Sequence, residues 1–292
     1  MSDIHILTDS AARLPSPAFA KQNTVTVVPY QIEIDGKRYR EEVDITAEEM
    51  LRLLGGSSLR PKLIAPSVED YIEAYTPLVR QYKAIISIHT SREQTESWAN
   101  ARQAAQQLMG QCAIHVIDSQ NICAAQGLLV RLAVEAVAQG KTPEQIIKIL
   151  RGAIDRIYVA YYLESMHYLS HNKIMSASHA ILGTLLGAKP ILTIEEGILV
   201  PTEKVRTRSQ GVERLVEFAT EFDDLQDILI LQHKQHLTEQ ARMLQDRLSV
   251  EFPGRHFPYL AYGASLAALI GPDATGVVIL EAENEIGYDD EF

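Results

Sequence analysis

The sequence predicts an α/β protein, with a parallel α/β sheet domain over residues 1–160 and a smaller α+β domain over 161–292. Three observations carry that reading. The first half alternates β-branched runs with capped helical segments, the second half contains a hairpin pattern, and no internal repeat interrupts either. Ile4-His5-Ile6-Leu7 opens the chain as a strand, and Thr24-Val25-Thr26-Val27-Val28 gives the next. Thr46-Ala47-Glu48-Glu49 is a capping box, its hydroxyl serving the third amide while the carboxylate reaches back. Ser67 to Asp70 repeats the device more weakly before Tyr71-Ile72. Ala84 to Ile88 and Ala113 to Ile117 are two further strands, and Thr142-Pro143-Glu144-Gln145 starts a helix with proline at its first position. Apolar strands alternating with helices require crossover connections, hence a parallel sheet covered on both faces.

After Tyr158 to Tyr162, a strand, the pattern changes. A helical stretch runs from Ser176 to Leu186, and Ile191 to Ile194 pairs with Ile198 to Val200 across a Glu196-Gly197 turn. Helices follow at 209–220 and 237–249, with strands near Ile228 to Ile230 and Gly276 to Leu280. The acidic end, Glu281 to Phe292, is expected to fray.

Composition excludes several functions. A net charge of −11 without a basic run repels phosphate backbones, so nucleic acid is not an expected partner. The longest charge-free apolar-rich stretch, Ile174 to Ala188, has 15 residues, short of the roughly 20 that span a bilayer. No transmembrane segment is expected, which leaves transient contact with a membrane surface open. Met1-Ser2-Asp3-Ile4 lacks a basic n-region, so no signal peptide is expected. Cys112 and Cys123 could pair, but two thiols in 292 residues suit a reducing cytoplasm better.

No glycine-rich nucleotide loop, GxSxG elbow or CxxC pair is present, and neither a cofactor nor a metal is expected. Asp9-Ser10 follows the first strand and Asp118-Ser119 the fourth, where ligand crevices of parallel sheets form. Helix N-caps favour the same residues, so both readings stand. Thr90-Ser91-Arg92 follows the third strand, with hydroxyls and a guanidinium suited to a carboxylate or phosphate; an exposed cap fits equally. His167, His171 and His179 could stack on one helical face, but no cysteine or carboxylate is spaced to complete a metal site. Arg206 and Arg208 alternate as residues of a strand do, which would aim both to one side.

Taken together, these segments resemble the DegV family of bacterial fatty-acid-binding proteins. Ile6-Leu7-Thr8-Asp9-Ser10, Val28-Pro29-Tyr30 and Val116-Ile117-Asp118-Ser119 match family strand ends. Leu182 to Leu192 resembles the Leu-Gly-Ser-Leu-Leu-x-Ile-Lys-Pro-Ile-Leu signature, and Lys204 to Arg208 and Gly271-Pro272 match in order. The resemblance implies a fatty acid in an apolar tunnel between two domains, its head group presented to a separate ATP-dependent fatty acid kinase. On this reading the chain is a carrier and not an enzyme.

The chain departs from the family pattern around the head group. Leu63-Ile64-Ala65-Pro66 stands where the family has Thr-Ser-Gln-Pro, so both hydroxyls are gone. Arg92 replaces the second serine of the Ser-Ser run, Asn172-Lys173-Ile174 replaces Gly-Gly-Arg, Leu269 stands at a histidine, and Asp273 at the last glycine of Gly-Pro-Gly. Ser91 and Arg206 survive. Either Arg92 and Arg206, helped by Ser91, hold an anionic head group, or the more apolar wall takes a less polar or differently headed lipid. The alternative from another class is a phosphotransfer enzyme or subunit, since the family's N-terminal fold resembles domains of sugar and dihydroxyacetone phosphotransfer systems. His89 is the one histidine at a strand's carboxyl end and would be its phosphoryl acceptor.

Overall fold

A computed structural model describes residues 3–16, 18–55 and 60–283. Its first elements are β1 (Ile4–Asp9), α1 (Phe19–Gln22), β2 (Val25–Val28), β3 (Gln31–Ile34), β4 (Lys37–Arg40) and α2 (Ala47–Leu54). Next come β5 (Lys62–Ile64), α3 (Val68–Leu78), β6 (Ala84–His89), α4 (Ser97–Gln107), β7 (Ala113–Asp118), α5 (Ala124–Ala138) and α6 (Pro143–Ile154). The second half contains β8 (Ile157–Leu163), α7 (His167–His171), α8 (Ala177–Leu185), β9 (Lys189–Glu195), β10 (Ile198–Val205) and α9 (Arg208–Thr220). It ends with β11 (Leu225–Gln232), α10 (Glu239–Glu251), β12 (Tyr259–Ala261), α11 (Ala264–Ile270) and β13 (Ala274–Glu281).

The α/β architecture expected from the alternation is present. A parallel sheet runs β2-β1-β6-β7, and a mixed sheet runs β10-β9-β8-β13-β11-β12. The period of two along β1 and β6 decides what each face buries. Leu7 and Ile85 face a layer formed by Tyr71 and Tyr75 of α3 and Ala101 and Ala104 of α4. Ile6, Ile86 and Ile88 face the opposite layer with Leu128, Leu129 and Ala133 of α5. The same core continues into the second sheet through Val159, Tyr161, Leu163 and Val278. One apolar layer therefore serves both sheets. The far face of the mixed sheet is covered by α9 and α10, through Leu215, Val216, Leu244 and Leu248.

The three capping boxes form as their sequences require, at Thr46, Ser67 and Thr142. The β9–β10 hairpin turns at Glu196 and Gly197, whose φ angles of 49° and 85° fit a two-residue connection. A third sheet, β4-β3-β5, goes beyond the sequence expectation. Its Asp35-Gly36 turn has φ of 48° and 78°, the Asp-Gly signal for a tight hairpin.

Two expectations are corrected. Arg206 and Arg208 do not share a strand face, because β10 stops at Val205 and Thr207 caps α9. The Gln210 side chain accepts from the Arg206 and Thr207 amides, so the capping box ends the strand. The three histidines do not stack either. His167 and His171 belong to α7, which ends at Asn172, and His179 lies on α8. Among the described residues no group of three or more His, Cys, Asp and Glu could hold a metal ion. Cys112 and Cys123 are both free. No helix of the described residues is long and apolar enough to cross a membrane. The fraying expected at the acidic end concerns residues 284–292, outside the described residues, whereas Glu281 belongs to β13.

Gly127 of α5 sits directly against the segment after β1. A Cβ there would lie 2.0 Å from the Arg13 carbonyl oxygen, a backbone atom that cannot swing aside. Gly127→Ala should cost about 1–3 kcal/mol, the usual range for overpacking, read as a lowered urea midpoint. An unchanged midpoint would show that this contact between α5 and the segment after β1 is slack.

Candidate functional site

The carboxyl ends of β1 and β6 are filled by polar side chains, not by an open crevice. Asp9 is fully buried. Its Oδ2 accepts from the Ser97 hydroxyl at 2.6 Å and the Thr90 amide at 3.1 Å. Its Oδ1 accepts from the Thr90 hydroxyl and the Gln126 amide, both at 3.0 Å. The Nδ1 of His89 lies 3.2 Å from Oδ2. Burial pushes the Asp9 carboxyl up, but His89, Ser97 and Gln126 outweigh it and hold its pKa below the ordinary value.

His89 is equally buried, and both ring nitrogens are occupied. Nε2 sits 2.6 Å from the Ser87 hydroxyl, while Nδ1 contacts Asp9 and the Tyr71 hydroxyl. Tyr75 and Tyr71 extend the network through Ser87 and Ser97. A phosphoryl acceptor needs a free nitrogen facing a donor, and His89 presents none in this arrangement.

Ser10 takes a different partner. Its hydroxyl donates to Glu41 at 2.7 Å and accepts from the Tyr30 amide at 2.9 Å. Glu41 also accepts from the Ser265 amide at 2.8 Å and from the Ser265 hydroxyl. This buried carboxylate thus ties the end of β1 to the start of α11. Burial pushes its pKa above the ordinary value, against the pull of those donors. Asp118 accepts from the Gln120 amide at 3.0 Å, and Ser119 folds back on Asn121, so this pair shapes its own turn.

Ser91 is buried where the tip of the β9–β10 hairpin meets the parallel sheet. A Cβ on Gly197 would fall 2.4 Å from its hydroxyl oxygen, and Gln94 donates to the Gly197 carbonyl at 3.0 Å. Arg92 beside it is 56% exposed and lies 3.5 Å from Asp118 and 3.3 Å from Glu93, with its guanidinium 5.8 Å from the Trp98 ring centre. Arg206 is elsewhere. It follows the far end of β10, about 30 Å along the chain from Gly197 at roughly 3.3 Å per extended residue. Ser91 meets the Gly197 end of β10, and Arg206 follows its other end, before the Thr207 cap of α9. Arg208 pairs with Glu164 at 2.7 Å, and Lys189 pairs with the other oxygen of the same carboxylate.

Leu63 on β5 and Leu269 on α11 are half-buried and pack on the shared core, together with Ala65, Ile174, Met175 and Ile194. Ile64 pairs with Gln31 in the small sheet and is also half-buried. Asn172 donates to the Ala268 and Leu269 carbonyls at 2.8 and 3.0 Å, closing the end of α11. Apolar side chains from both halves thus converge between β5, α11 and the α7–α8 connection. A groove of about 700 Å³ between α7 and α8, with Ile181 and Leu185 on its wall, adjoins that connection. Two further clefts, of about 590 Å³ at Ser10 and about 890 Å³ between α2 and the 233–236 loop, are open and bordered by charged groups including Glu48.

The polar network was only partly visible in the sequence. Asp9 and Ser10 stood out by position, and His89 by residue type. Glu41 and Ser97 carried no signal. Gln126 did, as a lone polar residue among the apolar neighbours of α5, and it is fully buried.

A parallel sheet and a mixed sheet sharing one core, with a small third sheet beside them, define a two-part α/β protein. The family model described as "Uncharacterised protein, DegV family" matches residues 3–282, and the chain belongs to the DegV family. It is 27% identical to Protein DegV of Bacillus subtilis over 280 residues, covering 94% of this chain and 98% of that protein. A DegV domain-containing protein of Caldanaerobacter subterraneus is 29% identical over 286 residues, covering 96% and 100%. The fatty acid binding DegV family protein from Streptococcus agalactiae superposes with a TM-score of 0.86 at 25% identity, over 97% of this chain and 100% of that one. The structure of DegV from Bacillus subtilis, described as a fatty acid binding protein, gives 0.82 at 25% identity, over 96% and 100%.

Asp9 is the testable centre of the buried network. A carboxyl whose native pKa is depressed favours folding above its unfolded value of about 4, and that contribution fades as pH falls through the native value. Asp9→Asn should cost about 3–5 kcal/mol at pH 7, the range for breaking a buried pair. The gap to the unsubstituted protein should narrow in acid, where Asp9 itself takes up a proton. Urea midpoints across pH 7 to 3 check this, and a gap independent of pH would mean that Asp9 is not ionised in the fold.

Proposed function

We propose that this protein binds a long-chain fatty acid or a related single-chain lipid between its two halves, as a carrier. The match along nearly the whole chain to a fatty-acid-binding DegV family structure carries the reading. The half-buried apolar set of Leu63, Ala65, Ile174, Met175 and Leu269 supports it, because it supplies an acyl chain with walls from both halves. The proposed tunnel follows these side chains, with Ser91 and Ile64 toward the head-group end. Presentation of the head group to an ATP-dependent fatty acid kinase belongs to the same proposal. So does transient membrane contact, for which α8 offers the exposed Ile181, Leu182 and Leu185. His89, enclosed by Asp9, Ser87 and Tyr71, weighs against the phosphotransfer alternative.

Titration with fluorescent acyl analogues of graded length tests the tunnel. One chain should bind per protein, and each CH₂ buried contributes about 0.8 kcal/mol, so removing two should weaken binding roughly tenfold or more. Affinity that does not change with chain length would contradict an apolar tunnel. Incubated with acid and ATP, the protein alone should release no ADP until a kinase is added. Turnover by this chain alone would restore the phosphotransfer reading.

A further inference from the structure

The turn between α7 and α8 sends neighbouring side chains in opposite directions. The Ile174 amide donates to the Leu169 carbonyl at 2.9 Å, and the Lys173 amide to the Ser170 carbonyl at 3.2 Å. This pair of bonds ends a helix with one residue in the left-handed region, and Lys173 is that residue, with a φ of 59°. Glycine takes such a position most easily, because a Cβ crowds the backbone there. Lys173 holds it nonetheless, with an exposed side chain. Ile174, the next residue, packs with Leu169 on the shared core.

Lys173 lines the groove of about 700 Å³ between α7 and α8, whose two sides differ in chemistry. Arg60 and Lys173, with His167 and His171 of α7, supply nitrogens. Ile181 and Leu185, one helical turn apart on α8, supply an exposed apolar wall. Among the described residues that line the groove none is acidic, in a chain of net charge −11. Neither Arg60 nor Lys173 has an ion-pair partner among the described residues. The neighbouring carboxylate, Glu164, is already held by Arg208 and Lys189. The two helices are also fixed against each other. A Cβ on Gly183 would fall 2.4 Å from the Met166 sulfur, so α8 lies tight against the start of α7. A groove with unpaired cations on one side and alkyl groups on the other fits an anion carried on a single alkyl chain.

We propose that this groove is a second binding site, for an anionic single-chain amphiphile, an alkyl carboxylate or alkyl phosphate. Arg60 and Lys173 take the anion, and Ile181 and Leu185 lie along the chain. The site is separate from the one proposed between the two halves and does not depend on it. It is open to solvent, so its ligand is held more loosely, fills it after the enclosed site and leaves during purification.

The test uses the full chain saturated with hexadecanoic acid, then titrated calorimetrically with monomeric decyl phosphate, decanoate, decanol or inorganic phosphate. Decyl phosphate and decanoate should each bind at one further site, with decanol and inorganic phosphate weaker by about tenfold, since each lacks half of the match. Added salt should weaken the two amphiphilic anions and leave decanol unchanged. Lys173→Gly should weaken decyl phosphate about threefold to tenfold, as loss of an exposed charge contact does. Its urea midpoint should hold or rise, because glycine suits the left-handed turn, so the lost affinity is not lost folding. Decanol binding as tightly as decyl phosphate, or Lys173→Gly binding decyl phosphate as the unsubstituted chain does, would overturn the proposal. A protein that ignores monomeric decyl phosphate but binds phosphatidylglycerol vesicles through Lys173 would overturn it too, and make the groove a membrane contact. Failure of hexadecanoic acid to bind would count against the enclosed site alone, since a decyl phosphate site sensitive to Lys173→Gly would still stand.

Discussion

Asp9 places a charge where no water reaches, and the surrounding architecture answers to that charge. Burying a carboxylate is tolerable only when donors replace its hydration. Here they come from β6 (His89), the loop after it (Thr90), α4 (Ser97) and α5 (Gln126). Four pieces of chain are thereby pinned to the end of β1. The loop that holds Ser91 and Gln94 is one of them, so a residue without access to ligand sets the position of residues at the junction. The same enclosure fills the space between the ends of β1 and β6 with protein donors, where a parallel sheet ordinarily receives a ligand.

The second constraint is that the two sheets share one layer of core on their facing sides. α5 lies between them, and Leu128 and Leu129 pack in one layer with Ile86 from the first sheet and Val159 from the second. Glu41 adds a polar tie between the end of β1 and α11, through Ser10 and Ser265. Shared packing fixes the relative placement of the halves closely, because interiors tolerate changes of even a methylene poorly.

Much of the fold was legible in the sequence because local rules and tertiary packing agree. The capping boxes at Thr46 and Thr142, the β-branched strands and the Glu196-Gly197 turn all formed where residue chemistry put them. The small β4-β3-β5 sheet was harder to see. Its strands are short, and only the Asp35-Gly36 turn announced it. Lys204 to Arg208 misled because alternation over a few residues cannot be told from a strand running into a helix cap. Around the site, residue type gave chemistry without partners. Arg92 reads as a free cation until Asp118 and Glu93 are seen beside it.

Identifying what travels with the protein tests the central claim most directly. Native mass spectrometry of the chain, expressed and purified without added lipid, should show one non-covalent addition per molecule. Released by collision, that addition should have the mass of a single-chain acyl lipid. A chain at its bare sequence mass in every preparation, or one carrying a covalent phosphoryl group instead, would contradict the account.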